Sequence, residues 1–169
     1  MRFFYPEVKM GRVAMVLLAA ILISVGRAEA QQADERAAVM APIQQLFDGM
    51  RRHDSAAVQA AFAPEGRLLS VDARSGTPTL RIIRPEQFAG AVGRAQGAPW
   101  DEPIYEPEIK IDGDLAMVWA RYDFLLGTTW SHCGVDAFML AKLADGWRIT
   151  QIADTRQQTG CTTPAAPKP

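Results

Sequence analysis

The chain has 169 residues, a formal net charge of −1, 49% hydrophobic residues and 22% charged ones. That size and balance fit one ordinary globular domain with enough apolar material for a single core. No stripe of Arg and Lys is present, which argues against a nucleic-acid partner. No phosphate-cradling glycine motif or nucleophile elbow supports nucleotide-driven or serine-hydrolase chemistry.

In chain order, the first 30 residues read as a leader. Arg2, Lys9 and Arg12 precede the apolar run VAMVLLAAILISVG, Val13 to Gly26, and Ala28-Glu29-Ala30 supplies a small-x-small cleavage signature. This pattern predicts a secretory signal peptide cut after Ala30, with Met10 as an alternative start. A transmembrane anchor is the competing reading, but spanning the bilayer core takes roughly 20 apolar residues, more than this run offers. The expected product is periplasmic or secreted, with no membrane attachment once the leader is removed.

Val39, Ile43, Phe47 and Met50 recur at spacings of three and four, which predicts an amphipathic helix from about Asp34 to Arg52. Asp54 is placed to cap a second helix, SAAVQAAFA, stopped at Pro64-Glu65-Gly66. From Arg67 the period shortens, and RLLSVDA and TLRIIR read as strands around a turn at Arg74 to Pro78. Pro85 opens a third helix, PEQFAGAVGRA. Four more strands follow: Ile104 to Ile111, Leu115 to Leu126, Trp130 to Leu143 and Trp147 to Asp154. Asp112-Gly113 and Asp145-Gly146 are hairpin signals between them. Helices first and a long antiparallel meander after predict an α+β fold. The tail CTTPAAPKP reads as disordered beyond Cys161, which leaves residues 31–160 as the domain.

Cys133 and Cys161 are an even pair in a chain expected to be exported, which points to a disulfide; two separate thiols are the alternative. Closing that loop stabilises by roughly 3 kcal/mol in the chain-entropy picture.

The order of elements, with HCGVDAFML (His132 to Leu140), DGWRI (Asp145 to Ile149) and ADTR (Ala153 to Arg156), resembles the nuclear transport factor 2-like superfamily. Ketosteroid isomerases, scytalone dehydratase and polyketide cyclases belong to that superfamily, and the likeness is nearest to its bacterial lumazine-binding group. The resemblance implies a strongly curved antiparallel sheet wrapped against about three helices to form a cone with an internal pocket. It does not supply a complete enzymatic motif, and fold alone does not confer chemistry.

Candidate site residues follow from residue type and strand alternation. Taking Ala144 opposite Trp147 places Asp136 opposite Thr155 and Cys133 opposite Gln158. His132, Asp136, Phe138, Trp147 and Ile149 then share one face, while Cys133, Ile152 and Asp154 share the other, unless a bulge exchanges the sets. His132 is the leading acid-base candidate because histidine titrates near neutrality, with Asp136 and Asp154 as orienting or basic carboxylates. Trp119, Arg121, Tyr122, Trp130 and Phe138 are candidate ligand contacts. Each also has a structural reading: core filler, ion pair or strand tie. Two distant histidines and a cysteine pair leave no expected metal cluster, and no cofactor is expected. Three functional readings remain. They are an exported binder of a small, partly aromatic or hydrophobic molecule, an isomerase, dehydratase or cyclase, and a homodimeric interaction module joined through the sheet.

Overall fold

The computed structural model describes the backbone of residues 10–165 and the side chains of residue 27 and residues 29–165. It divides into two units, residues up to Ala37 and residues from Ala38 onward. The first unit is helical from Met10, within helix α1 (Met10–Arg52). Residues 1–9 of the expected leader lie outside the described residues. Among the described residues no helix is long and apolar enough to cross a membrane.

In the second unit, α1 presents Val39, Ile43, Leu46, Phe47 and Met50 to the core at the spacing that puts them on one helical face. Helix α2 (Ser55–Ala60) starts where the Asp54 carboxylate accepts the Ala57 amide at 3.0 Å. It is shorter than the sequence suggests. The Ala61 carbonyl accepts the Ile149 amide at 3.0 Å and Phe62 already pairs with Ile149, so strand β1 (Phe62–Asp72) begins inside the expected helix. A sheet partner here overrides helix propensity. Strand β2 (Thr79–Ile83) and helix α3 (Pro85–Arg94) follow, then β3 (Trp100–Asp101), β4 (Ile104–Asp112), β5 (Leu115–Leu126), β6 (Thr129–Leu143) and β7 (Gly146–Arg156).

The seven strands form one sheet in the order β2-β1-β7-β6-β5-β3, with β4 also paired to β5. The sheet is mixed, because β1 runs parallel to β7. Adjacent-strand reasoning gives hairpins only; a first strand that returns to pair with the last leaves no local signal. The α+β architecture, with helices beside a curved sheet, is otherwise that expected. Glycines at positive φ make the tight turns: Gly113 at 56° between β4 and β5, and Gly127 at 63° between β5 and β6. Core packing joins α1 to the sheet through Phe47, which meets Phe138 edge-on with ring centroids 6.1 Å apart.

The β6–β7 register differs from the expectation in a way that decides the site. Leu143 pairs with Gly146, one residue earlier than assumed, and a bulge then lies between Met139 and Leu140 on one side and Gln151 and Ile149 on the other. Thr150 is the extra residue. Beyond it Asp136 faces Asp154 rather than Thr155, and Cys133 faces Gln157 rather than Gln158. Ile152 and Asp154 are therefore on the same face as His132 and Asp136.

Candidate functional site

A cavity of about 270 Å³ lies between α1, α3 and the concave face of the sheet. Its apolar wall comes from Leu46, Met50, Leu68, Phe88, Ile152 and the aromatic rings of Trp100 and Phe124. Its polar wall holds Glu102, Tyr122, Ser131, His132, Asp136, Asp154, Arg74 and Arg156.

Three local irregularities aim these polar groups inward. Thr150, as the extra residue on β7, turns Asp154 and Arg156 towards the cavity. A second bulge lies where Phe124 pairs with His132 but Leu125 pairs with Trp130; Ser131 is its extra residue, so Ser131 and His132 both reach the cavity wall. The third is the break between β3 and β4. Both pair with β5, but Pro103 has no amide to give the ladder. Its carbonyl instead accepts the Asp123 amide at 3.2 Å. Glu102 stands at this break, and Arg51 of α1 anchors the segment by donating to Asp101 at 2.9 Å.

Asp154 is fully engaged. Arg156 donates to it at 2.8 and 3.3 Å and the Ser70 hydroxyl at 2.6 Å, while Arg156 also donates to Ser70 at 3.0 Å. Arg74 is held by Asp72, with its Nε donating at 2.9 Å, and that hydrogen bond keeps the Asp72 carboxyl well below its usual range. Glu102 and Asp136 form a different kind of pair: both carboxyls line the cavity, each acts on the other's titration, and crowding two buried carboxyls favours the protonated form. Burial, with Asp154 nearby, pushes Glu102 up to about 8; burial and Glu102 raise Asp136 well above its ordinary range. Asp136 is 2% exposed, and its Oδ2 has no hydrogen-bond partner.

His132 is buried, stacks on Phe124 with centroids 5.0 Å apart and meets Tyr122 edge-on at 5.8 Å. Its Nδ1 is 3.0 Å from the Ser131 hydroxyl. Burial, with Arg156 and Arg74 adding to it, pushes its pKa down to about 4, so the imidazole is neutral at neutral pH. Tyr122 donates to the Thr155 carbonyl at 2.8 Å, and burial raises its pKa. Gly134 makes this contact sterically feasible: a Cβ there would sit 1.7 Å from the Thr155 carbonyl oxygen and 2.8 Å from the Tyr122 ring.

Of the residues singled out from sequence, the fold thus brings His132, Asp136, Asp154 and Tyr122 to the cavity. Trp119, Arg121, Trp130 and Phe138 are elsewhere. Trp119 is 48% exposed, and by strand alternation it and Arg121 point away from Tyr122. Arg121 pairs with Glu106 and donates to Thr162 at 3.0 Å. Trp130 donates to Asp123 at 2.7 Å, and Phe138 packs in the core behind the cavity. Glu102, Arg156 and Ser131 were missed. Asp-Glu-Pro between two strand-like stretches is the signal that marks Glu102, since Pro breaks an edge strand and exposes the preceding side chain to a new role.

Cys133 and Cys161 form a disulfide. The segment after Cys161, read from composition as disordered, is described through residue 165 and bonds the sheet there. Thr163 donates to Asp123 at 2.6 Å and the Ala165 amide at 3.0 Å. Residues 166–169 lie outside the described residues. Among the described residues no group of three His, Cys, Asp or Glu side chains is placed to hold a metal ion.

This architecture is similar to several solved proteins at low sequence identity. A nuclear transport factor 2-like protein with a cystatin-like fold from Novosphingobium aromaticivorans aligns with a TM-score of 0.62 at 12% identity, over 80% of this chain and 90% of that one. A protein of unknown function from Mycobacterium tuberculosis aligns at 0.61 and 17% identity, over 75% of this chain and 74% of that one. A Kribbella flavida protein aligns at 0.58 and 17% identity, over 79% of this chain and 96% of that one. Among curated proteins none matches. Residues 34–152 match the family described as "Putative lumazine-binding", and the chain belongs to that family.

Proposed function

We propose that this is an exported small-molecule-binding protein that holds one compact, flat or apolar ligand in the cavity between α1, α3 and the sheet. The observation that carries the reading is the cavity itself, about 270 Å³ with an apolar, aromatic wall and a few convergent polar groups, the usual make-up of a ligand site. Membership of a family with a small-molecule label supports it. The leader-like first 30 residues and the Cys133–Cys161 disulfide support export, since such bridges persist in oxidising compartments.

The test is thermal unfolding of the oxidised chain, starting at Gln31, against pterins, flavins, steroids, fatty acids and small aromatic compounds. A ligand present at about 100 times its dissociation constant stabilises by about 2.7 kcal/mol. The expected result is a shift of several degrees with a compact ligand that His132→Ala reduces. Cooperative unfolding with no shift across the whole panel removes the binding reading.

A second reading, an isomerase, dehydratase or cyclase, is favoured by one specific observation. Glu102, pushed up to about 8 by burial, lines the same cavity as Asp136 and a neutral His132. Groups of that kind can move a proton beside a carbonyl, with Asp136 or His132 in contact with the substrate and Asp154 fixing Arg156. Any ligand found by the panel would be incubated in heavy water; carbon-bound deuterium appearing at a wild-type-dependent rate supports the reading, and none removes it.

A further inference from the structure

The cavity contains an imbalance of charge partners. Arg156 is bonded to Asp154 and Ser70, and Arg74 to Asp72. Each arginine at the cavity thus has its own carboxylate. Among the described residues no guanidinium is hydrogen-bonded to Glu102 or Asp136, Arg156 acts on them only through its charge, and one Asp136 oxygen has no hydrogen-bond partner. A buried carboxylate without a bonded cation or donor is unfavourable, which favours its protonated form. With Asp72 counted beside Arg74, two guanidinium groups face four carboxyl groups, and the Glu102–Asp136 pair is the part left without a cation of its own. A ligand of charge +1 that displaces one proton from the pair leaves the net charge of the wall unchanged.

The rest of the wall suits such a ligand. Phe88, Trp100, Tyr122 and Phe124 line the same space, and aromatic faces attract an organic cation that has left water. The volume equals that of about nine waters at ~30 Å³ each, enough for a single ring with a short polar head. His132 adds no competing positive charge near neutral pH. The helix α1 side contributes only Leu46 and Met50, neither of which titrates.

We propose that the cavity takes a small aromatic or apolar cation, an amine or an amidine, whose N–H groups bond Glu102 and Asp136, displace one proton from them and satisfy the unpartnered Asp136 oxygen. The inference rests on the small-molecule role proposed above and names its ligand class. The step balances as an exchange: the protonated ligand enters, one proton leaves to solvent, and no covalent bond is made or broken.

The experiment is titration calorimetry of the oxidised wild-type chain with benzamidine, its neutral near-isostere benzamide, and benzoate. Each is run at pH 6 and pH 7 in two buffers of different ionisation enthalpy. Benzamidine is expected to bind at least about tenfold more tightly than benzamide, and benzoate not at all. Proton release close to one per ligand is expected, with affinity rising about tenfold from pH 6 to pH 7, as linkage requires when one proton is displaced. Asp136→Asn is expected to abolish the preference for benzamidine. The proton count on the wild type decides the matter even if that variant folds poorly. Equal binding of benzamide, or binding of benzamidine without proton release, overturns the cation assignment while leaving a small-molecule site in place. Failure of all three probes also overturns it, and the wider ligand panel then decides separately whether the cavity binds anything.

Discussion

Asp123 and Asp136 are buried aspartates on neighbouring strands of one sheet, and their surroundings treat them oppositely. Asp123 is on the outer face and is fully buried, yet it accepts hydrogen bonds from Thr163 at 2.6 Å, Trp130 at 2.7 Å and the Ala165 amide at 3.0 Å. Asp136 is on the cavity face, raised by burial and by Glu102, and left with one oxygen unpartnered. Burial alone does not distinguish a structural acid from one available to a ligand; the supply of donors does. The outer centre is complete and the inner one is not.

The largest expected effect tests the complete centre. Asp123→Ala strands three donors, two of them in the tail segment held down by the Cys133–Cys161 bridge. Removing one side of a buried, charge-assisted network costs about 3–5 kcal/mol, which urea unfolding resolves readily. Asp136→Asn replaces an under-satisfied carboxyl by a neutral amide that can donate to Glu102, and it is expected to change stability by no more than about 1 kcal/mol, in either direction. Equal losses in the two variants would remove the distinction between the centres.

Acidity sharpens the same comparison at an intermediate magnitude. Glu102 is pushed from an ordinary 4.5 up to about 8, so the folded state binds more protons than the unfolded one over that interval. Its contribution is fully present below 4.5 and is lost as pH rises towards 8. His132 acts in the opposite sense: with its pKa lowered from 6.5 to about 4, it costs stability as pH falls below 6.5. The two oppose each other between pH 4.5 and 6.5. Above 6.5 only the carboxyl pair remains, and stability is expected to fall between pH 6.5 and 8 by at most about 1.4 kcal/mol per unit for each proton. Glu102→Gln reduces the fall, and adding Asp136→Asn flattens it. A wild-type protein equally stable at pH 6.5 and 8 in urea unfolding would show that the pair carries no extra proton.

Much of this was legible in the sequence, and the rest was hidden for identifiable reasons. Helix spacing in Val39 to Met50, the capping Asp54 and the glycine turns are local signals, and the elements they mark are present. His132 and Asp136 alternate with outward residues on one strand, so their shared face was readable. Asp154 was placed on the wrong face because Thr150 is a bulge, and nothing in Ile-Thr-Gln-Ile distinguishes a bulged residue from a paired one. Ser131 is a second bulge with no signature. Glu102 was passed over because its role depends on a long-range fact, that β3 and β4 pair with the same edge of β5 on either side of Pro103. Residue type located the candidates, but backbone irregularity selected among them.

The smallest expected effect concerns the two tryptophans that share the β5 neighbourhood. Trp100 lines the cavity and meets Phe124 edge-on at 6.0 Å, whereas Trp119 is 48% exposed on the opposite face of the sheet. Trp119→Ser is therefore expected to change stability by no more than about 0.5 kcal/mol, as exposed substitutions do, and to leave any ligand-induced thermal shift intact. Trp100→Ser removes part of the apolar wall and is expected to weaken that shift. Urea unfolding and the ligand-shift assay on both variants make the check, with sedimentation run alongside. A Trp119 variant that loses the ligand shift would place the binding face on the outside of the sheet. One that changes the association state alone would instead mark the outer face as a contact between copies and leave the cavity assignment untouched, because the two faces share a backbone but no side chains.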